Sequence, residues 1–597
     1  MKSFLKYTLA TICGLFIFTF IVGIVFIISL AGMAATGSSE TQVKDNSVFV
    51  LKLNGIVTER SEEGTPFDFL LSSSEMEVMG LDDIIASIHK AKNHEDIKGI
   101  YLEGGLAEFD SPATAQQIRD ALKDFKKSGK WIIAYADNYT QQAYYIASVA
   151  DSILLNKTGM IELKGIGGKR EFMTGLYEKL GVKYQAVRVG KYKGAVESVT
   201  RKDMSPENRE QTEAYQQGIW KHMLKDITES RTKLTTEKLD QMVSDSILAF
   251  AAPTDYLKGG LVDLLCYPEG AKKTIKGMLK TSNDENDINQ LLLSDMISLP
   301  AKDNEKGDEV AVYYAYGEII DQATSLFATE HNIIGKETVE DLNKLANDDD
   351  VKAVVLRVNS PGGSAVASEQ IAHAITLLKA KKPVVISMGG MAASGGYMIS
   401  AYGDYIFAEP TTITGSIGIF GLVPNVSELM TGKLGITFDE TKTNAYTDFE
   451  ENLIFGKDNT QELKFMQAYV NRGYETFLNI VGDGRKMSRD QVHEIAQGRV
   501  WLATDALPIK LIDKIGSLDD AVKKAAELAK LSEFYKKSYP EQETWFDQLM
   551  KMDDKRGTYL DNELRETLGE FYQSFLNIRR DMQRNRLQVR MPFLLNF

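Results

Sequence analysis

The chain is poor in the residues that build several familiar kinds of site. Its 597 residues include only two cysteines, Cys13 inside an apolar run and Cys266 far down the chain. That spacing excludes a disulfide framework and a cysteine zinc site. There are six histidines, His89, His94, His222, His331, His373 and His493. None stands in a glycine turn or at a predicted strand end, so the usual base for a serine hydroxyl is missing. Positive charge is also short, with a formal net charge of -14. Nucleic acid is therefore an unsuitable partner, because phosphate binding needs clustered Lys and Arg.

The amino terminus lacks charge of either sign from Tyr7 to Ser39, after Lys2 and Lys6. A run of this length spans a bilayer, and the leading lysines hold the short end in the cytoplasm. A cleaved signal peptide would have an apolar region of roughly 7 to 15 residues. Although Gly32-Met33-Ala34 offers small residues for cleavage, the longer run favours a retained anchor. The expected location is the inner membrane, single-pass, with everything after the span on the periplasmic side.

Past a polar connector, apolar strand patterns alternate with amphipathic helical ones, as in βα units around parallel sheets. Segments then recur in order. VFVLKLNGIVTER at Val48 resembles VAVYYAYGEIIDQ at Val310, and EDIKGIYLEGG at Glu95 matches DDVKAVVLRVNSPGG at Asp349. WIIAYADNYTQQAYYIASVADSI at Trp131 matches VVISMGGMAASGGYMISAYGDYI at Val384 without a gap. LGVKYQAVRVGKYK at Leu180 lies against LGITFDETKTNAYT at Leu434, and TDYLKGGLVDLL against TDALPIKLIDKI. Such order points to two copies of one α/β domain. The expected organisation is a stub, anchor and connector over 1–46, domains over 47–300 and 301–535, and a helical tail over 536–597. The polar stretch from Thr281 to Asp308 reads as a linker. Arginines at 579, 580, 584, 586 and 590 suit either a packing helix or a contact with lipid or a neighbouring subunit.

In the second copy, strand PVVISM runs into GGMAASGGY and a helical stretch, which places Ser394 on a glycine-rich turn at a helix start. Unpaired N–H groups gather there. The amide of Gly395 suits the oxyanion of an acyl transfer, and the Asn359–Gly363 turn offers a second donor, with Gly363 preferred to Gly362. The first copy has Gln141 and Gln142 at the matching place, so the fold does not need Ser-Gly-Gly for packing. In place of a histidine, a lysine can serve as the base if burial makes it neutral, although most lysines lie at the surface. Lys191 and Lys193 both stand beside small residues in the first copy, and Lys193 is matched by Thr447 in the second. Each copy holds one partner of a serine and lysine pair and lacks the other.

The motifs VGKYKGAVES around Lys193, RVNSPGGS at Arg357, MAASGGYMIS around Ser394, TGSIGIFG at Thr414 and GRVW at Gly498 resemble those of the signal peptide peptidase A family, long tandem-domain type. The likeness runs from the anchor to about residue 535. It implies an α/β fold of two tandem Clp-protease and crotonase-like domains, each a spiral of repeated ββα units, after a transmembrane helix. It implies a Ser-Lys endopeptidase with nucleophile Ser394 and general base Lys193, Lys191 being a bystander, and with Ser416 near the amine. Cleaved signal peptides are the implied substrates, the bilayer and further copies of the chain in a ring-like tetramer the implied partners, and no cofactor is called for. Two other readings compete: an acyl-CoA hydratase or isomerase of the same fold, and an inactive membrane scaffold that binds peptides.

Overall fold

The computed structural model describes residues 43–61, 78–245, 248–281, 288–300, 306–322 and 331–541, together with Gly14 and Phe18. The apolar run expected to be an anchor lies outside the described residues apart from those two, and so does the arginine-rich tail. Among the described residues no helix is long and apolar enough to cross a membrane.

Two sheets carry the chain. The first holds seven strands, in the order Val78–Gly80, Ser47–Thr58, Ile97–Phe109, Trp131–Tyr139, Ser152–Ile161 and Leu264–Leu265, with Gln290–Leu291 also on Ser47–Thr58. The second holds eight and repeats the central order as Asp308–Tyr316, Val351–Ser360, Val384–Ala393, Tyr405–Ala408 and Lys514–Ile515. Every pairing in either sheet is parallel except that of Ile413–Gly415 with Val500–Leu502.

The central strands are buried on both faces, which is why they read as continuous apolar runs. In the second sheet Val310, Val312, Val355 and Val385 face the helix Leu518–Leu528, while Ala311, Leu356 and Ile386 face the helices of the other side. Adjacent residues thus take opposite faces, as a strand requires. Helix Ala365–Lys379 begins where the Ser364 hydroxyl accepts the Ala367 N–H, and helix Pro206–Ser230 where Ser205 accepts from Asn208.

Two expectations change, and one pair of matched segments differs in structure. Residues 288–300 lie in the first unit, within the bounds expected for that domain, and not in the linker read over Thr281–Asp308: Gln290–Leu291 joins its sheet, and Leu291, Met296 and Leu299 enter its core. The second sheet continues to Tyr539, because Phe534–Tyr539 pairs with Asp308–Tyr316 across the boundary expected at 535. The segment from Leu434 to Thr447 matches a strand of the first copy yet forms none, and its side chains are exposed. A strand there has no partner within the described chain.

The units interlock at two places. Lys183–Arg188 of the first pairs antiparallel with Phe420–Asn425 of the second, from Phe420 opposite Arg188 to Asn425 opposite Lys183. Cores are exchanged too, since Leu502 packs into the first core and Val189 against the second. Elsewhere Arg357, 1% exposed, meets Glu59, 3% exposed, through two hydrogen bonds of 3.0 and 3.1 Å. Asn359 donates to Asp110 at 2.6 Å, and Thr411 to Gln116 at 3.0 Å.

Candidate active site

The antiparallel ribbon delivers the lysine. Just past its end, Val189 N–H donates to Ile419 O at 3.3 Å and Tyr192 N–H to Gln497 O at 3.0 Å, so the first copy's chain is stitched onto the second. Gly498 leaves the way open: a Cβ there would fall 2.6 Å from Lys193 Cβ. Gly418 lies against the lysine stem. The loop after Lys193 is held by Glu197, fully buried, whose carboxylate accepts from Ser205 N–H and Oγ and from Asn208 Nδ2. Burial alone would push that carboxyl up, but these bonds hold it below the usual range.

Strand Val384–Ala393 delivers the serine. Ser394 is the residue between strand and helix Gly395–Ser400, with φ 54° and ψ -119°. A non-glycine residue in that region is strained, and such turns present a side chain clear of the backbone. Its hydroxyl makes no cap bond to the helix it begins. Ser416, the other hydroxyl residue at the amine, also has positive φ, 50°.

Lys193, 4% exposed, meets Ser394 within one chain. Its Nζ lies 3.0 Å from Ser394 Oγ, 3.0 Å from Ser416 O and 2.9 Å from Ser416 Oγ. Burial alone pushes the amine down to about 7, with no carboxylate contributing. A neutral amine has two N–H groups and one lone pair. Ser416 O can only accept, and Ser416 Oγ accepts the second N–H, which leaves the lone pair for the Ser394 hydroxyl proton. Lys191 is exposed and points its amine over its neighbour Tyr192.

The two glycines of the loop differ. Gly362 N–H already donates to Ser360 Oγ at 3.1 Å. Neither Gly363 N–H nor Gly395 N–H has a hydrogen-bond acceptor among the described residues. Close packing against backbone requires glycine at two of them, where a Cβ would fall 2.5 Å from Gly395 N at Gly362 and 2.0 Å from Ile319 O at Gly363, whereas at Gly395 it would meet the Ser368 hydroxyl at 2.4 Å. The loop itself is pinned by Ile319 N–H to Gly362 O and by Ser364 N–H to Ile319 O.

Arg499 was not singled out by its sequence, although GRVW was. Its guanidinium lies between the rings of Tyr192 and Trp501, 4.8 and 4.3 Å from their centroids, and pairs with Glu210 at 3.0 Å. Its carbonyl accepts the Ser416 N–H at 2.7 Å. One residue thus braces the neighbour of Lys193 and the acceptor of its amine. The signal was an arginine between a glycine and an aromatic, which has no meaning until Tyr192 is placed beside it. Among the described residues, no cluster of His, Cys, Asp and Glu could hold a metal ion.

The pattern of Peptidase family S49 matches the chain twice, over residues 124–280 and 376–532, and that of Clp protease matches residues 308–412. Protease 4 of Salmonella typhi is 34% identical over 94% of this chain and 89% of its own length. Protease 4 of Haemophilus influenzae is 33% identical over 88% of this chain and 87% of its own. Serine protease SPPA, chloroplastic, of Arabidopsis thaliana is 26% identical over 82% and 70%. With two matched segments, a Clp-protease-like α/β fold and relatives alike over nearly their whole length, the chain belongs to peptidase family S49, as a serine protease with two of the family's domains in tandem.

Proposed function

We propose that the chain is a membrane-anchored Ser-Lys endopeptidase that degrades signal peptides after their release from preproteins. The hydrogen-bond count at Lys193 carries this reading: two acceptors from Ser416 orient the amine so that its lone pair faces Ser394 Oγ. As Ser394 Oγ attacks the substrate carbonyl carbon, its proton passes to Lys193 Nζ. The oxyanion is held by the N–H groups of Gly363 and Gly395, a choice supported by Gly362 being engaged elsewhere. Lys193 returns the proton to the leaving amine. Water then attacks the ester, Lys193 takes its proton, and the acid leaves with Ser394 restored.

The anchor reading rests on the uncharged run after Lys2 and Lys6, and the same run with its leading lysines supports a site on the periplasmic side of the inner membrane. Apolar substrates remaining in a bilayer suit an enzyme tethered to it. Further copies of the chain are the expected partners, in a ring-like tetramer. The ribbon joint between Lys183–Arg188 and Phe420–Asn425 is made once within the chain. By the match of Leu180 with Leu434, the counterpart of Lys183–Arg188 is 437–442, which forms no strand, and a neighbouring copy would supply its partner. A serine-reactive phosphonate should modify the full-length protein in detergent at Ser394, located by peptide mapping, and block cleavage of a synthetic signal peptide. Full cleavage by fully labelled protein would overturn the reading.

Two outcomes follow from the amine. Because only neutral Lys193 accepts a proton, kcat/KM should rise about tenfold per pH unit up to about 7 and then level, so that about 1% of the plateau remains at pH 5. A flat profile from pH 5 to 8 would exclude a lysine base of this pKa. Ser416→Ala removes one acceptor that the three-donor ammonium needs more than the two-donor amine does. We expect kcat to fall about tenfold and the acid limb to move to lower pH, read from the same profile.

A further inference from the structure

The first copy keeps a cavity where the second keeps its chemistry. Gln141 begins helix Gln141–Ala147 as Ser394 precedes Gly395–Ser400, and the gap-free match of the preceding strands makes the two positions equivalent. The glutamine is tied down. Its Oε1 accepts from Lys164 and Gly165 N–H at 3.0 and 2.9 Å, and its Nε2 donates to Gly165 O at 3.2 Å. Position 141 itself carries no hydroxyl, the neighbouring Thr140 Oγ1 is taken by the Ala143 N–H, and Thr447, matched to Lys193, is exposed elsewhere. Yet the space has not closed. It measures about 550 Å³ and is lined by Ala107, Phe109, Ile166 and Met223, with Glu108 and Glu162 among the polar groups. That volume is in the range of ligand pockets.

The chemistry of the lining selects an occupant. Phe109, Ile166 and Met223 suit apolar side chains, and the two carboxylates suit a positive charge. Glu162 is partly neutralised by Lys164 at 3.0 Å, whereas Glu108 is exposed with no cationic partner among the described residues. The cavity also adjoins the catalytic side. Phe109 and Pro112 flank Asp110, which accepts from Asn359 at 2.6 Å. Asn359 in turn accepts the N–H of Met391, on the strand that ends at Ser394, and opens the loop to Gly363. Two hydrogen bonds, through Asp110 and Asn359, therefore link the rim of this cavity to the strand that carries the nucleophile.

We propose that the cavity is a non-cleaving binding site for a second stretch of the peptide cut at Ser394, one that carries apolar side chains next to a basic group. This rests on the peptidase reading above. The first copy thereby holds long substrates while the second cuts them.

The test uses the full-length protein in detergent with three substrates: a short fluorogenic peptide, a peptide of about 20 residues with an apolar stretch and a lysine-rich end, and the same long peptide with those lysines replaced by glutamine. Glu108→Lys and Ile166→Trp should raise KM for the lysine-bearing peptide about tenfold and leave the short substrate unchanged. For the glutamine version only Ile166→Trp should matter. Asp350→Lys, an exposed reversal on the second unit, is the control for overall charge and should change none of them. An unchanged KM for the lysine-bearing peptide in both cavity variants, or an equal rise in Asp350→Lys, overturns the proposal. In parallel, anisotropy of the labelled lysine-bearing peptide on Ser394→Ala protein measures binding alone, and Glu108→Lys should weaken it by a similar factor. If wild type cleaves none of the three, the peptidase reading falls, and the binding arm still decides whether the cavity holds peptide.

Discussion

Ser394→Ala and Lys193→Ala should each lower kcat for peptide hydrolysis by about 10⁵-fold, and the double variant should be no worse than either. On the proposed mechanism the two side chains act as one unit, because the hydroxyl is a poor nucleophile without the amine and the amine has nothing to activate without the hydroxyl. Lys193→Arg should be equally inactive, since a guanidinium stays protonated at any working pH. Lys191→Ala should stay within about twofold of wild type, as its amine is exposed and turned away. Stability separates this from a structural role. Keeping an amine in so dry a place costs about 5 kcal/mol in its charged form, from the drop to about 7. Lys193→Met should therefore unfold at no lower a temperature than wild type while hydrolysing nothing. Loss of activity accompanied by a lower melting point would instead point to a packing role, and activity in Ser394→Ala would exclude the nucleophile.

Much of this arrangement could be read from the chain because duplication gave each segment a control. The match of Trp131 onwards with Val384 onwards has no gap, so the change from Gln141 to Ser394 stood out against a fold that tolerates either. The choice between Lys191 and Lys193 had no such aid. They stand two apart and would share a face on a regular strand. What separates them is Gln497, which takes the Tyr192 N–H, and Gly498, which leaves room for the Lys193 stem, both some 300 residues later. Family likeness rather than periodicity made that choice. The repeat does not extend to structure at Leu434 to Thr447, where matched residues form a strand in one copy and exposed coil in the other. A strand needs a partner as well as a pattern, and Lys183–Arg188 has Phe420–Asn425 whereas 437–442 has none within the described chain. Arg357 was visible only as a letter of a motif, because nothing in RVNSPGGS names Glu59 as its partner.

That pair leads to the second large effect. Arg357 is on the strand that runs into the Gly362–Gly363 loop, and Glu59 reaches it from the other copy, so the ion pair fixes that strand against the first unit. Removing one member of a buried pair costs about 3 to 5 kcal/mol, because the other charge is left in a dry site. Here a reserve stands nearby. Glu409, 3% exposed, has one carboxyl oxygen without a hydrogen-bond partner. Burial first, and Glu59 among the lesser causes, push it up to about 8, against the pull of Arg357. A carboxyl raised to about 8 is mostly protonated at pH 7. In Glu59→Gln one of the upward pushes disappears, so Glu409 should ionise and take over the guanidinium. Glu59→Gln alone should then lose less than a broken pair would, and Glu409→Gln alone should stay within about 1 kcal/mol. Together they should lose about 3 to 5 kcal/mol, a drop of about 10 °C in melting temperature and clearly more than the sum of the two. The pH dependence gives the sign. In wild type the folded pKa lies above the unfolded one, so Glu409's contribution to stability falls as pH rises from about 4.5 through 8. Lowering that pKa in Glu59→Gln narrows the window. The deficit of Glu59→Gln relative to wild type should therefore be larger near pH 5 than near pH 8.5, and a deficit independent of pH would show that Glu409 does not answer to Arg357.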